Sequence, residues 1–177
     1  ILRSLAQYPR TLAVRIDLRF PQQEGARWSG QESRVLQRFF ESLRAKIEHD
    51  RQRARIDNPY AHYSVVRYIW ARERDTSDAP HFHCLLLFNR DAYYALGDLY
   101  SLKENMINRI VAAWASALGM AWNEALPLVH FPKRGVYRLD RGDLEGFAKL
   151  FYRASYLCKE TTKSFGNWVH AFGCSHI

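Results

Sequence analysis

The sequence predicts an α+β fold, an antiparallel sheet of about five strands with helices packed on it. Apolar residues alternate over "TLAVRIDLRF" (11–20), and two runs rich in β-branched, aromatic and aliphatic residues flank the turn "DTSDAP". Helical spacing of apolar residues governs three other segments. No repeat, low-complexity stretch or internal linker divides the chain, so residues 1–177 are expected to form a single domain. The opening "ILRSLAQYPR" has no initiator Met and no signal-peptide layout, which suggests a fragment of a longer protein.

The elements follow in order. In the first strand Leu12, Val14, Ile16, Leu18 and Phe20 share one face, and Arg15, Asp17 and Arg19 share the other. Residues 21–30 read as loop. From about Ser33, Leu36, Phe39, Phe40, Leu43 and Ile47 recur at helical spacing, and the helix ends in the basic "RQRAR". "DNP" (57–59) is a turn, after which "YSVVRYIWARE" (63–73) reads as a long strand. "HFHCLLLF" (81–88) is the next strand and "NRDAYYALGDLY" a loop. A helix then runs through Met106, Ile107, Ile110, Val111, Trp114 and Leu118 and stops at Gly119. "LPLVHF" and "GVYRLD" are short strands around the turn "PKRG", and "GDLEGFAKLFYRASYLCKE" (142–160) is the last strong helix. "FGNWVHAFGCSHI" closes the chain without a clear period.

Composition narrows the function. Lys and Arg number 26 against 18 Asp and Glu, a net charge of +8 that favours polyanionic partners. Three cysteines with no C-x-x-C pair argue against a disulfide framework and for a reducing cytoplasm. No window approaches the ~20 apolar residues of a membrane span, so no membrane partner is expected. Glycine-rich phosphate loops are absent, which excludes an ATPase or dinucleotide domain.

Two constellations carry chemistry. In a strand, residues two apart project from one face, their Cα atoms roughly 6 to 7 Å apart, so His81 and His83 can share one cation. Half-buried, hydrogen-bonded strand histidines are the alternative. If the turn lies at "DTSDA", Glu73 falls opposite His81 and completes a two-imidazole, one-carboxylate set; a slip of one residue would turn it away. Asp75 and Asp78 are loop carboxylates that could substitute for it. Such a mixed set suits Mn²⁺ or Mg²⁺, whereas zinc is disfavoured because no cysteine falls at ligand spacing.

The second constellation lies on the last helix. Leu144, Phe147, Phe151, Ala154 and Cys158 gather on one side, flanked by Leu150 and Leu157; Tyr152, Tyr156, Lys149, Lys159 and Lys163 gather on nearly the opposite side. A phenol with a pKa near 10 is a poor nucleophile at neutral pH unless positive charge favours the phenolate, and Lys159 follows Tyr156 by one turn. Surface tyrosines that stack on bases are the non-catalytic alternative.

Together, an H-x-H strand with the hydrophobic Phe82 between its histidines, an acidic residue eight positions upstream and a late Y-x-x-x-Y-x-x-K helix resemble the HUH endonuclease superfamily of rolling-circle replication initiators. The likeness is greatest to the inovirus-type replication proteins of filamentous phages and prophages. "PHFHCLLLFN", "AWASALGM", "LVHFP", "YRLD", "LFYRASYLCKETTKSFG" and "AFGCS" carry it, from about Val65 to the C-terminus. The resemblance implies a ferredoxin-like or RRM-like sheet holding Mg²⁺ or Mn²⁺ on its central strands. It also implies attack of a tyrosine on a phosphate of single-stranded DNA or an origin hairpin, giving a 5′-phosphotyrosyl link and a free 3′-OH that primes synthesis. Host helicase and polymerase would be partners, in a bacterial cytoplasm.

Mapped by resemblance, His81, His83 and Glu73 hold the metal, Tyr156 is the first choice of nucleophile with Lys159 beside it, and Tyr152 is the second nucleophile. Lys149 and Lys163, with Arg51, Arg53 and Arg55 of the basic helix end, are candidate DNA contacts; a solvated helix end is the alternative for the three arginines. The first strand matches the usual N-terminal motif of initiators poorly and is assigned no catalytic part. Two other readings stand beside this one, a non-catalytic single-strand or hairpin-binding regulator and a metal phosphodiesterase that uses water.

Overall fold

A computed structural model describes residues 1–22, 30–73, 81–99, 101, 104–161 and 172–175, with residues 156–161 described by their backbone alone. The elements are α1 (Leu2–Gln7), β1 (Arg10–Arg19), α2 (Glu32–Asp57), β2 (Arg67–Glu73), β3 (His81–Asn89), α3 (Met106–Leu118), α4 (Trp122–Ala125), β4 (Val129–His130), β5 (Val136–Asp140), α5 (Leu144–Thr161) and β6 (Phe172–Cys174). The predicted α+β class and antiparallel sheet are observed. The strands run in the order β4, β1, β3, β2, β6, with β5 also paired to β1. The order 4-1-3-2 within β-α-β-β-α-β is that of the ferredoxin-like split β-α-β arrangement.

Period two in β1 explains how the sheet is covered. Leu12, Val14, Ile16 and Leu18 join Phe82, Cys84, Leu86 and Phe88 of β3 in one core against Phe39 and Leu43 of α2 and Ile110 and Trp114 of α3. Ala13, Leu85 and Leu87 lie on the other face in a smaller core with Leu139, and with Leu150 and Ala154 of α5. Because β3 is central and buried on both sides there, its Leu85–Leu86–Leu87 run needs no alternation.

Trp114 anchors the main core. It is fully buried, packs edge-on against Phe20 at 5.4 Å and Phe39 at 5.8 Å, and donates its indole N–H to the Arg19 carbonyl at 3.1 Å. Trp114→Ala is expected to cost about 3–5 kcal/mol, visible as a lower midpoint in urea. Trp114→Phe should recover part of that loss, since it keeps a ring but leaves the carbonyl unpaired.

Some boundaries differ from the sequence reading. β2 begins at Arg67, not Tyr63, since residues 61–66 lie outside the ladder. In "LPLVHF" the first three residues form a 3₁₀ turn and only Val129 and His130 pair with β1. Gly119 does stop α3, adopting the left-handed conformation at φ 70°. The short α1 and α4 and the strand β6 have no clear periodic signal in the sequence. In β6, Gly173 lies opposite Trp70, and a Cβ there would meet the indole at 2.7–2.8 Å, so only glycine lets this strand close on the β2 edge. No helix among the described residues is long and apolar enough to cross a membrane.

Candidate metal centre

The register places the site. His81 lies opposite Glu73 across β2–β3, and His83 lies opposite Asp17 across β1–β3. Residues paired in this way share a face, so Asp17, Glu73, His81 and His83 meet on the face away from the main core, at the end of the sheet where β2 finishes. The sequence-predicted set converges as expected. Glu73, His81 and His83 each offer a ligand atom, all within 4.8 Å of one another. Glu73 Oε2 lies 3.0 Å from His81 Nε2 and 2.6 Å from His83 Nε2. Ligands about 2.1 Å from one ion stand roughly 3 Å apart, so these donors fit a single small cation. Asp75 and Asp78 lie outside the described residues.

β1, assigned no catalytic part from the sequence, supplies two residues that contact this cluster. Asp17, 7% exposed, binds two histidines: His83 Nδ1 at 2.6 Å from Oδ1 and His130 Nδ1 at 3.0 Å from Oδ2. His130 comes from β4, whose pairing sets it opposite Asp17, and its side chain is about half exposed. Arg15, two residues earlier on the same face, brings its Nε to 3.4 Å from Asp17 Oδ1 and its guanidinium to 3.4 Å from His83 Nδ1. This buried Nε has no hydrogen-bond partner and adds positive charge beside the cluster. The signal in the sequence was the alternation of β1, which puts Arg15 and Asp17 on its polar face. The β1–β3 pairing that aims this face at the histidines is long-range and has no local signature.

Electrostatics explain the state of each group. Burial disfavours the Asp17 carboxylate, but hydrogen bonds from His83 and His130 and the Arg15 charge outweigh it and hold its pKa far below the usual range. His83 sits between two carboxylates. Burial alone would lower its pKa; hydrogen bonds to Asp17 and Glu73 raise it instead, because only the imidazolium donates from both nitrogens. His81 moves the other way, lowered by burial and by the neighbouring His83 charge despite Glu73. A cation bound at Nε2 of His83 would replace that proton while Nδ1–H stays bonded to Asp17, which fixes the tautomer a metal-bound histidine needs.

The tyrosine helix crosses the same face. α5 touches β5 and β2, with Leu150 and Ala154 packed on the sheet. The buried side therefore centres on Leu150 and Ala154, and Leu144 and Phe151 are exposed, because α5 is rotated from the orientation its apolar periodicity suggests. Tyr152 is 73% exposed on the side of α5 turned away from the sheet, so it is not brought to the cluster. Lys149 is exposed and held by Glu145 at 2.6 Å, one turn earlier. Lys163 and the side chains of Tyr156 and Lys159 lie outside the described residues.

The arginines of the basic helix end are not brought to the cluster. They sit beyond the start of β2, and Arg67 to Glu73 spans roughly 20 Å of strand. Arg51 is bonded to Asp50 at 2.6 Å and lies 4.5 Å from the Tyr93 ring centre. Arg55 lies over Tyr63 at 4.1 Å, and Arg53 is exposed.

Comparison with known proteins places the chain. The profile of the YagK/YfjJ C-terminal domain matches residues 1–175. The uncharacterized protein YagK of Escherichia coli (strain K12) is 39% identical over 179 residues, covering 97% of this chain and 86% of that protein. The uncharacterized protein YfjJ of the same strain is 37% identical over 150 residues, covering 81% of this chain and 72% of that protein. No solved structure matches the chain. With its profile spanning nearly every residue and two relatives above 30% identity, the chain belongs to the YagK/YfjJ C-terminal domain family.

Proposed function

We propose that this domain nicks and rejoins single-stranded DNA by tyrosine attack at a divalent-cation centre, as a replication initiator of the rolling-circle kind. The observation that carries the reading is the convergence of Glu73, His81 and His83 on the sheet face that α5 packs against. The resemblance to HUH initiators in "PHFHCLLLFN" and "LFYRASYLCKETTKSFG" supports it. Mg²⁺ or Mn²⁺ held by these three residues would polarise the scissile phosphate.

The remaining steps fall to the chain. The Tyr156 phenol oxygen attacks phosphorus, the P–O3′ bond breaks, and the phenolic proton passes to the departing 3′ oxygen. The products are a 5′-phosphotyrosyl link and a free 3′-OH, and reversal by that hydroxyl or another rejoins the strand without ATP. Lys159 favours the phenolate, Arg15 adds positive charge where the phosphorane gains negative charge, and Asp17 holds His83. Tyr152, one turn before Tyr156, serves as the second nucleophile. The setting is the cytoplasm of a bacterial host, with helicase and polymerase acting after the nick.

The test incubates the domain with origin-derived single-stranded DNA and Mn²⁺ and looks for a protein–DNA adduct on a denaturing gel. The expected adduct disappears with EDTA and in the Tyr152→Phe/Tyr156→Phe double variant. Cleavage without an adduct would point to a water nucleophile. Binding without cleavage would point to a regulator, a role that the exposed ring of Tyr152 also suits through base stacking.

A further inference from the structure

A groove of about 840 Å³ opens at the far end of the β2 edge, between the C-terminal half of α2 and the start of β2. Its volume falls within the roughly 300–1,000 Å³ of small-ligand sites. Arg44, Arg51 and Arg67 line it against one carboxylate, Glu48, with Tyr8 and Tyr63 among the other walls. The cations are oriented: Arg44 lies 5.2 Å from the Tyr68 ring centre, and Arg67 bonds through Nε to Gln7 Oε1 at 2.9 Å. Tyr63 is 57% exposed, and Arg55 lies over its ring at 4.1 Å.

The edge strand β6 lies between this groove, on the α2 side of the sheet, and the metal cluster on the opposite face. Phe172 of β6 lies opposite Ala71, which lies opposite His83, so an exposed aromatic ring stands two strands from the cluster on the same face. Three residues on, Ser175 lines the groove, and its backbone N–H donates to the Tyr68 carbonyl at 3.0 Å. Guanidinium groups beside the exposed Tyr63 ring match the two parts of a nucleotide, phosphate and base.

We propose that this groove is a second nucleic-acid site, which holds a single-stranded segment flanking the one at the metal centre. The inference rests on the reading above that the centre acts on single strands. It makes the β6 edge the place where the strand passes from one face of the sheet to the other, with the groove as its far anchor.

The experiment measures binding by fluorescence anisotropy in EDTA, where no cleavage occurs, with a short oligonucleotide that covers the centre alone and a long one that reaches the groove, each as DNA and as RNA. For the long strand, the Arg44→Ala/Arg67→Ala double variant should bind about tenfold more weakly and lose about 1.4 from its log–log salt slope, the share of two phosphate contacts on a single strand. Tyr63→Ala should also lose about tenfold, and Tyr63→Phe should restore the affinity. These losses should be much smaller for the short strand, and thermal melts of each variant separate misfolding from lost contacts. Long-strand affinity and salt slope equal to the parent's, or equal losses on both lengths in a folded variant, would overturn the groove. Displacement by poly-glutamate as effective as by a single strand would overturn it too. Groove-dependent binding with no adduct under any condition leaves the groove standing and removes the nicking reading, whereas an adduct with groove-independent binding removes the groove alone.

Discussion

Replacing His83 with alanine is expected to abolish Mn²⁺ binding and, with it, any metal-dependent adduct. His83 Nε2 lies 2.6 Å from Glu73 Oε2, so its loss leaves a carboxylate and one imidazole, too few donors to hold a small dication against water. In calorimetric titration the affinity should fall by more than the 10- to 100-fold typical of second-layer changes. The metal-free protein should also be destabilised, by up to the ~3–5 kcal/mol of a buried pair that loses one partner, because the imidazolium separates two carboxylates, Asp17 and Glu73, that would then face each other. Its pKa is raised, so this stabilisation is fully present below about pH 6.5 and fades as pH climbs through the folded value. Metal affinity must run the opposite way, since the ion displaces the Nε2 proton. Titrations between pH 6 and 8.5 should thus show affinity rising with pH while the stability gap between parent and His83→Gln narrows. Affinity independent of pH, or retained in His83→Ala, would remove His83 from the ligand set.

Asp17→Asn should give the second large effect. The carboxylate accepts from both His83 and His130, and its depressed pKa means that it contributes stability above the unfolded value near pH 3.9, lost as pH falls toward the folded one. The amide keeps the shape but removes the charge that orients His83, and it can turn its NH₂ toward Nδ1, favouring the tautomer that is protonated on Nε2. Mn²⁺ affinity is expected to fall 10- to 100-fold, with the His83 ring titrating at lower pH by NMR. An unchanged His83 titration would show that Asp17 has only a packing role. Asp17→Glu separates charge from reach, since it restores the charge at the wrong distance.

The contrast between Glu73 and Asp17 shows what was legible in the sequence. Glu73 and His81 are eight residues apart across a hairpin, and a hairpin's turn fixes its register, so counting outward from "DTSDA" sufficed. Asp17 is 66 residues from His83, and its partnership depends on which strand lies beside β3. Many strand orders bury the same apolar faces. The rotation of α5 is a similar case: periodicity defines a broad apolar side, but which part is buried depends on the shape of the sheet beneath it, and Leu150 fits the gap beside Leu85 and Leu87 where Phe151 does not.

The sequence by itself determined the α+β class and the faces of β1 and β3, and placed Glu73 beside His81 and His83 only on condition that the turn lies at "DTSDA", because strand period is a local property of the chain and hairpin register follows from the turn. Tertiary structure alone decided the closure of β6 on the β2 edge through Gly173, the separation of Arg51, Arg53 and Arg55 from the candidate metal cluster, and the recruitment of Asp17, Arg15 and His130 to it. Each of these depends on contacts between segments far apart in sequence, whose free energy is set by the packing of the whole sheet rather than by the residues on either side.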